Sequence, residues 1–139
     1  QLTLAQSVPV TGAIVVTTPQ DIALIDARKG MVMFEKVNVP VLGVVENMSL
    51  HICSHCGFHE PIFGTGGAEK LVADYQTQLL AQLPLHINLR EDLDDGEPTV
   101  IRRPDSEFTA LYRQLAGRVA SRLYWQGEVI PGDIAFRAL

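Results

Sequence analysis

Two cysteines in the middle of the chain have the spacing of a metal or redox site. Cys53 and Cys56 are separated by two residues and followed directly by Gly57. A Cys-x-x-Cys-Gly turn lets two thiolates face one metal while backbone N–H groups point at sulfur. Glycine tolerates the left-handed backbone that such a turn needs. Since two cysteines this close cannot staple a fold, the pair indicates metal or redox chemistry rather than a structural disulfide.

Two thiolates make half of a metal site, and the missing ligands have more than one source. A second copy of the chain would give a four-cysteine site at a twofold axis, suitable for a 4Fe-4S cluster. His51, His55 or His59 would instead complete a mixed zinc site within one chain. A redox dithiol is disfavoured because such pairs usually begin a helix, and Gly57 and Pro61 oppose a helix here. From these residues alone, zinc is slightly favoured over a cluster.

The overall composition excludes several classes of partner. The chain has 139 residues, 47% of them hydrophobic, which is enough for one packed domain. Its 16 acidic and 11 basic residues give a net charge of −5, so it lacks the positive surface that nucleic acid requires. Its apolar runs are far too short to cross a bilayer. We therefore expect a soluble, cytoplasmic protein with no nucleic-acid or membrane partner.

The elements that must position the cysteines begin with a strand, helix, strand pattern. Residues 13–17 and 41–45 are apolar runs without alternation, typical of strands buried on both faces. Residues 22–36 between them predict a helix. This order predicts a parallel pair of strands and a doubly wound α/β fold. The expected inward stripe of the helix comprises Ile22, Ile25, Val32 and Phe34.

The second half of the chain predicts a long loop, a strand and two helices. Residues 47–65 predict a polar loop carrying the cysteines, longer than the usual connection in such a fold and therefore a functional candidate. A helix is predicted from 66 to about 76, and then a short strand from 79 to 83 that ends at Pro84. Residues 92–104 are rich in turn formers. The flanking segments are predicted as the end of a helix at 1–8 and an irregular tail at 127–139.

The last predicted helix begins after the capping residues Asp105, Ser106 and Glu107. Its apolar residues recur at helical spacing, which predicts that one face packs on the sheet. The members of this stripe are Phe108, Leu111, Tyr112, Leu115, Val119 and Leu123.

Two further features bear on nucleotide binding. Residues 64–70 are glycine-rich, but Glu69 stands where a phosphate-binding P-loop needs glycine, so we interpret them as a flexible turn that begins a helix. Asn47 follows the strand 41–45 with one residue between. Its amide is therefore expected near the carboxyl edge of the sheet, where open α/β sheets bind ligands, and it could pair with a purine ring. Asparagine after a strand is also a common turn residue.

The sequence around the cysteines resembles that of the Mrp/ApbC family of iron–sulfur carrier ATPases, which are related to the MinD-type P-loop ATPases. The residues in question are Val-Leu-Gly-Val-Val-Glu-Asn-Met-Ser at 41–49, the Cys53 and Cys56 pair, and Ile-Phe-Gly-Thr-Gly-Gly at 62–67. The resemblance favours a cluster over zinc. Further matches, which extend it to nearly the whole chain, lie at 17–20, 83–85, 90–92 and 94–98.

The resemblance implies a fold and a place within a larger domain. It implies the C-terminal part of a doubly wound, mostly parallel sheet of a MinD/Mrp-like P-loop NTPase, flanked by helices. Residues 1–139 would form that part of one domain, with the metal loop 47–65 inserted and the tail 127–139 irregular. The family's deviant Walker A motif occurs nowhere in the 139 residues. We therefore expect it to precede Gln1, and we expect no catalytic residues and no ATP hydrolysis from this chain alone.

The resemblance also assigns the site residues. Cys53 and Cys56 would bind a 4Fe-4S cluster that bridges the two subunits of a homodimer, with Zn²⁺ as a possible substitute metal. The protein would pass the cluster to apo-proteins, and the full-length protein would bind ATP and Mg²⁺. Asn47 matches the adenine-contacting position. The residues expected to line the base after the next strand are Pro84, Leu85 and His86.

Two other functions stay open on the sequence. One is a zinc-binding interaction module that uses the cysteine pair and a histidine. The other is a MinD/ParA-like partitioning ATPase, which a membrane-targeting amphipathic tail would favour; residues 129–139 are apolar but lack that periodicity.

Overall fold

A four-stranded sheet forms the centre of the computed structural model, which describes residues 10–126. The helix end predicted at 1–8 and the tail predicted at 127–139 lie outside the described residues. The elements in chain order are β1 (Ala13–Thr17), α1 (Asp21–Lys36), β2 (Val41–Ile52), β3 (His59–Glu60), α2 (Gly67–Asp74), β4 (Leu79–Leu85), α3 (Ile87–Asp94), α4 (Thr99–Arg102) and α5 (Glu107–Gln126).

The strand β2 lies between β1 and β4 and runs parallel to both. Glu46 of β2 stands opposite Thr17 of β1 on one side and Gln82 of β4 on the other. Beyond this point β2 also pairs antiparallel with β3, where His51 faces Glu60. The predicted parallel β1-α1-β2 unit is therefore confirmed.

Helices cover both faces of the sheet. On one face, α1 and α2 form a core with β1 and β2. On the other face, α5 packs against β2 and β4. The buried residues of the first core are Val15, Leu24, Ala27, Met31, Val44, Ala68 and Leu71, and those of the second are Val45, Leu80 and Leu83.

The inward face of α1 differs from the predicted stripe. Its buried residues are Leu24, Ala27 and Met31, which follow helical spacing. Two of the predicted residues are mostly exposed, Ile22 at 74% and Ile25 at 51%. Phe34 packs on the first core as predicted, but the prediction was wrong for the β-branched residues because it overlooked a narrower face that includes alanine.

The strand β1 is buried on one face, not on both as predicted. Val15 and Thr17 are buried, whereas Ile14 and Val16 are exposed, Val16 to 62%. Within residues 10–126 no helix packs over this second face of β1, so its side chains alternate between core and surface.

The segment 47–65, predicted as one long loop, is largely a β-hairpin. β2 continues to Ile52 because its main chain remains paired, with β3 through His51 and Ile52 and with β4 through Leu85. The irregular parts are the turn at 53–58 and the return at 61–66. The strand was not predicted because this part of β2 carries polar side chains, which lack the apolar pattern of a strand.

Two predictions after β3 also need correction. β4 does not end at Pro84 but runs through it to Leu85. Within the described residues β4 pairs with β2 alone, so the missing N–H of proline is tolerated on an edge strand. The turn-rich segment 92–104 contains the end of α3 and all of α4.

A buried carboxylate explains why this segment is helical. The side chain of Asp92 is fully buried and accepts hydrogen bonds from the Thr99 hydroxyl at 2.7 Å and the Arg103 Nε at 3.0 Å. The Thr109 hydroxyl donates to the Thr99 carbonyl at 3.2 Å. These contacts tie α3, α4 and the start of α5 together, a tertiary effect that local sequence does not show.

The helix α5 follows its predicted stripe for most of its length. Phe108 is buried, and Leu111, Tyr112, Leu115 and Val119 pack on the second core. Leu123, the last predicted member, is 38% exposed. The predicted cap is confirmed, since Ser106 Oγ accepts from the backbone N–H of Thr109 at 3.2 Å. None of the helices within residues 10–126 has the length and apolar character needed to cross a membrane.

Asp92→Asn is expected to destabilise the protein in a pH-dependent way. Its hydrogen bond to Arg103 outweighs burial and lowers the pKa of the Asp92 carboxyl. The charged carboxylate therefore stabilises the folded state above the ordinary aspartate pKa, and this contribution is lost as the pH falls through the lowered pKa. Thermal melts between about pH 2 and 7 should show a lower Tm for the variant at neutral pH and convergence with wild type in acid. Asp94→Asn on the exposed face of α3 is the control, and equal effects from both variants would contradict the assignment.

Candidate metal centre and strand-end site

The turn between β2 and β3 holds both cysteines at the tip of the hairpin. The Cys53 N–H donates to the Phe58 carbonyl at 3.0 Å, and the Gly57 N–H donates to the Cys53 carbonyl at 2.8 Å. Gly57 has a φ of 69°, in the left-handed region that favours glycine. The prediction from the Cys-x-x-Cys-Gly pattern is confirmed for this backbone turn.

The turn directs backbone donors at the Cys53 sulfur. The backbone N–H groups of Cys56 and His55 lower the pKa of the Cys53 thiol, in that order, and the Cys56 side chain lowers it further, while burial acts weakly in the opposite direction. Both cysteines are free thiols; Cys53 is half-buried and Cys56 is exposed. This arrangement favours the thiolate, the form that binds metals.

The histidines of the segment do not complete a metal site around the cysteines. His51 lies on β2 and is half-buried, whereas His55 and His59 are exposed. In the region 10–126, no three or more His, Cys, Asp and Glu side chains come close enough together to hold a metal ion. The described chain therefore offers two thiol ligands at its surface and lacks a third.

The hairpin and its returning segment carry exposed apolar side chains. Phe58, two residues after Cys56, is 64% exposed, and Ile62 on the returning segment is 48% exposed. Large apolar side chains in an exposed group often mark a protein contact.

Asn47 lies where β2 bends. Its partner on β4 is Leu83, and the pairing of the two strands is irregular between Asn47 and His51. Asn47 Oδ1 accepts from the Met48 N–H at 3.0 Å, and Met48 adopts a φ of 54°, which is uncommon for a residue other than glycine. Within the described residues, the Asn47 Nδ2 group makes no hydrogen bond. Asn47 lies just beyond the last pair with β1 but inside β2, so it does not follow the end of a strand as predicted, and the bend was not predicted either.

The other residues predicted to line a base lie at the end of β4 and just beyond it. Pro84 is buried, and Leu85 is half-buried. His86 is buried and caps α3, since its Nδ1 accepts from the Asn88 N–H at 3.1 Å. The His86 ring also packs on Phe108 with a centroid distance of 4.9 Å.

An open pocket of about 550 Å³ lies between the hairpin, the start of α2 and the start of α5. Its lining includes Glu46, Glu69, His59 and Phe108. Of the residues predicted as site residues, Pro84 also lines this pocket. The cysteines lie outside it, at the tip of the hairpin.

Glu46 is a residue that the sequence analysis missed. It is 2% exposed, and its carboxylate accepts from the Ala68 N–H at 3.2 Å and from Gln82 Nε2 at 2.9 Å. Gln82 Nε2 also donates to Glu69 at 3.0 Å. A charged residue directly after an apolar strand was the available signal.

The glycine-rich segment 64–70 begins α2, as predicted. A Cβ atom on Gly67 would fall 2.5 Å from Leu24 Cδ1 and 2.9 Å from the Pro19 carbonyl, so glycine permits close packing on α1. The Ala68 N–H is bonded to Glu46. The segment therefore joins the hairpin to the core, and at the start of α2 the Ala68 N–H already donates to the Glu46 carboxylate.

The fold and the hairpin together define an α/β protein of the MinD-like P-loop NTPase class. A solved structure described as a nucleotide-binding protein in complex with ADP from Archaeoglobus fulgidus matches 71% of this chain and 40% of its own, with a TM-score of 0.57 and 29% identity. The septum site-determining protein MinD from Pyrococcus horikoshii matches 86% and 45%, with a TM-score of 0.61 and 24% identity. This second likeness bears on the fold alone.

The chain belongs to the ParA family of NUBPL-type iron-transfer P-loop NTPases, whose model matches residues 1–120. The iron-sulfur cluster carrier protein of Escherichia coli K12 is 80% identical over all 139 residues. The mouse iron-sulfur cluster transfer protein NUBPL is 47% identical over 123 residues, 88% of the chain. The chain spans 38% of the length of the first relative and 39% of the second.

The lowered pKa of Cys53 predicts how this thiol reacts. In a Cys56→Ser variant, the alkylation rate of Cys53 by iodoacetamide should rise with a midpoint below about 8.5, the ordinary cysteine value, because the backbone N–H groups of the turn remain. Mass spectrometry across a pH series measures this rate. The same variant unfolded in guanidinium is the control and should return to the ordinary midpoint. A folded midpoint at or above the unfolded one would contradict the geometry of the turn.

Proposed function

We propose that this chain is the cluster-binding part of an iron–sulfur cluster carrier. Cys53 and Cys56 from each of two copies bind one 4Fe-4S cluster as cargo, and the protein passes it to apo-proteins. The observation that carries the proposal is the surface turn with two free thiols, backbone N–H groups directed at one of them, and no third ligand among the described residues. The names of the relatives support iron–sulfur transfer.

We propose a second copy because of the number of ligands in this chain. A 4Fe-4S cluster is usually held by four cysteine thiolates, whereas this chain contains two cysteines. A twofold axis near the hairpin tip would bring four together. The exposed Phe58, which belongs to the same turn, would then be covered near the cluster, which limits water access to it. The homodimer is thus part of the proposal.

The exposed position suits a cluster that must leave. Cys56 is exposed and Cys53 is half-buried, so incoming thiolates of a recipient could reach the iron atoms and replace these ligands one at a time. A cluster that remains in place is more often enclosed by its protein. We place the carrier in the cytoplasm, where free thiols persist.

Each cysteine is expected to be essential for holding the cluster. After anaerobic incubation of the intact protein with iron and sulfide, we expect about four iron atoms per two chains and sulfur-to-iron absorbance in the visible range. Cys53→Ala and Cys56→Ala should each lose most of this absorbance because only two of the four cysteine ligands remain in each pair of chains. Ser54→Ala, in the same turn, is the matched control and should retain it.

Elemental analysis decides between this proposal and the zinc module. Zinc bound at one atom per chain after anaerobic purification, with no iron retained on reconstitution, would contradict the carrier function. Full visible absorbance in either cysteine variant would contradict the ligand assignment. Aerobic samples are unsuitable because zinc readily occupies empty thiolate sites.

We further propose that the carboxyl edge of the sheet contributes to a purine nucleotide site. ATP and Mg²⁺ would bind in the full-length protein, with Asn47 donating from Nδ2 to the base and with Pro84, Leu85 and His86 forming its wall. Asn47 and Leu83 are paired neighbours, so Asn47 lies beside the last residues of β4. Since His86 Nδ1 already accepts from Asn88, His86 would act through its position rather than through that nitrogen. The residues that hydrolyse ATP would lie outside these 139 residues, and this chain alone would not hydrolyse it.

Asn47→Ala is expected to weaken ATP binding by the intact protein about five- to tenfold, the effect of losing one hydrogen bond to the base. Isothermal titration with a non-hydrolysable ATP analogue measures the change. Gln78→Ala, an exposed amide at the opposite end of the sheet, is the control. Unchanged affinity in Asn47→Ala would remove this residue from the proposed base site.

A further inference from the structure

Glu46 has a buried carboxylate that the proposed cluster and nucleotide sites do not use. Its side chain is 2% exposed, yet within the described residues no lysine or arginine forms an ion pair with it. Its partners are instead two neutral donors, the Ala68 N–H and the Gln82 side-chain amide. Burying a carboxylate costs free energy unless it is hydrogen-bonded. The folded state is therefore destabilised when either of these two hydrogen bonds is broken.

The two bonds of Glu46 join three elements. Gln82 belongs to β4, Glu46 to β2, and Ala68 to the first turn of α2. The residue before α2, Gly66, offers no side-chain cap. Glu46 therefore acts as the acceptor for this helix start, where the helix dipole favours negative charge.

Glu46 also stands at the base of the cysteine hairpin. After Glu46 the strand β2 loses its β1 neighbour but continues to Ile52; the chain then turns at Cys53 to Phe58 and returns through residues 61–66 to α2. The bond from the Ala68 N–H to Glu46 thus closes a 22-residue excursion whose tip carries both thiols. The returning segment also contacts the rest of the protein through the two residue pairs between β3 and β2 and through the close packing of Gly67 on α1.

We propose that Glu46 is a positioning residue for the cluster ligands: its carboxylate fixes the base of the hairpin and so the direction in which Cys53 and Cys56 are presented. This inference rests on the proposed ligation of a cluster by these cysteines. A loose base would let the two copies approach with their thiols misaligned, and the four sulfur atoms would then hold iron less firmly.

The first test compares Glu46→Ala with Glu69→Gln in the intact, cluster-loaded protein. Glu69 lies in the same network but is exposed. Within the described residues, Gln82 is the one residue whose side chain donates a hydrogen bond to it. We expect Glu46→Ala to speed iron release to a ferrous chelator by at least about tenfold, from the loss of hydrogen bonds to a buried charged group, whereas Glu69→Gln leaves it within about twofold.

The second readout follows the hairpin itself without any cluster. Backbone amide exchange of residues 51–60 and 67–71 in the apo-protein should quicken in Glu46→Ala, while exchange in the sheet at 41–45 changes less. A general loss of stability would instead quicken all of these segments together. Glu46→Gln, which keeps one acceptor, should fold and give an intermediate result, so the test does not depend on the alanine variant being stable.

A rescue variant separates positioning from the mere presence of a buried carboxylate. Exchanging the two partners, Glu46→Gln with Gln82→Glu, lets the amide at position 46 accept from Ala68 and donate to position 82. The exchange is made in the Glu69→Gln background, which avoids two adjacent carboxylates. We expect this triple variant to return to the iron-release rate of Glu69→Gln alone.

The outcomes are distinguishable. Wild-type iron release and hairpin exchange in both Glu46→Ala and Glu46→Gln would overturn the positioning role, as would faster exchange that is uniform across the protein. A triple variant no better than Glu46→Gln would also contradict it. If the wild-type protein itself binds no cluster, the proposed function fails, whereas the amide exchange still decides whether Glu46 holds the hairpin.

Discussion

The structure depends on one strand, β2, and on how its main chain stays paired after it leaves the core. Its 12 residues span about 40 Å, longer than either parallel neighbour can cover. Up to Glu46 it lies between β1 and β4; beyond Glu46 it pairs with Leu83 and Leu85 of β4 and, at its end, with β3. Without those later pairs, the backbone N–H and C=O groups at 47–52 would need other hydrogen-bond partners, and the position of the cysteines would not be fixed.

This pairing links the chemistry of the tip to the fold beneath it. Because the hairpin reverses between Cys53 and Phe58, the backbone N–H groups of the turn face the Cys53 sulfur and favour its thiolate. The same reversal places Cys56 at the surface, where a second chain could reach it. A shared site between two chains is the arrangement that uses both properties.

The sequence was sufficient where local pattern decides the structure. The parallel β1-α1-β2 unit, the cap at Ser106 and the Cys-x-x-Cys-Gly turn follow from periodicity and residue type. The extent of β2 was missed because polar residues hide its pairing with β3. The helices around Asp92 were missed because a buried carboxylate, its hydroxyl partner and two arginines come together only in the folded chain.

The site shows the same division. The cysteine turn could be predicted, since a short motif locates it, whereas Asn47 lies inside β2 rather than after a strand end because the strand is longer than its apolar run. The role of Glu46 could not, because its partners are 22 and 36 residues away along the chain. The absence of a third ligand within the described residues also needed coordinates, since three histidines in the segment left a single-chain site open.

Native mass spectrometry of the anaerobically reconstituted intact protein tests the central claim most directly. We expect a species with the mass of two chains plus one 4Fe-4S cluster, and we expect it to disappear when both cysteines are replaced by alanine. A single chain that carries one zinc ion or one whole cluster would contradict it.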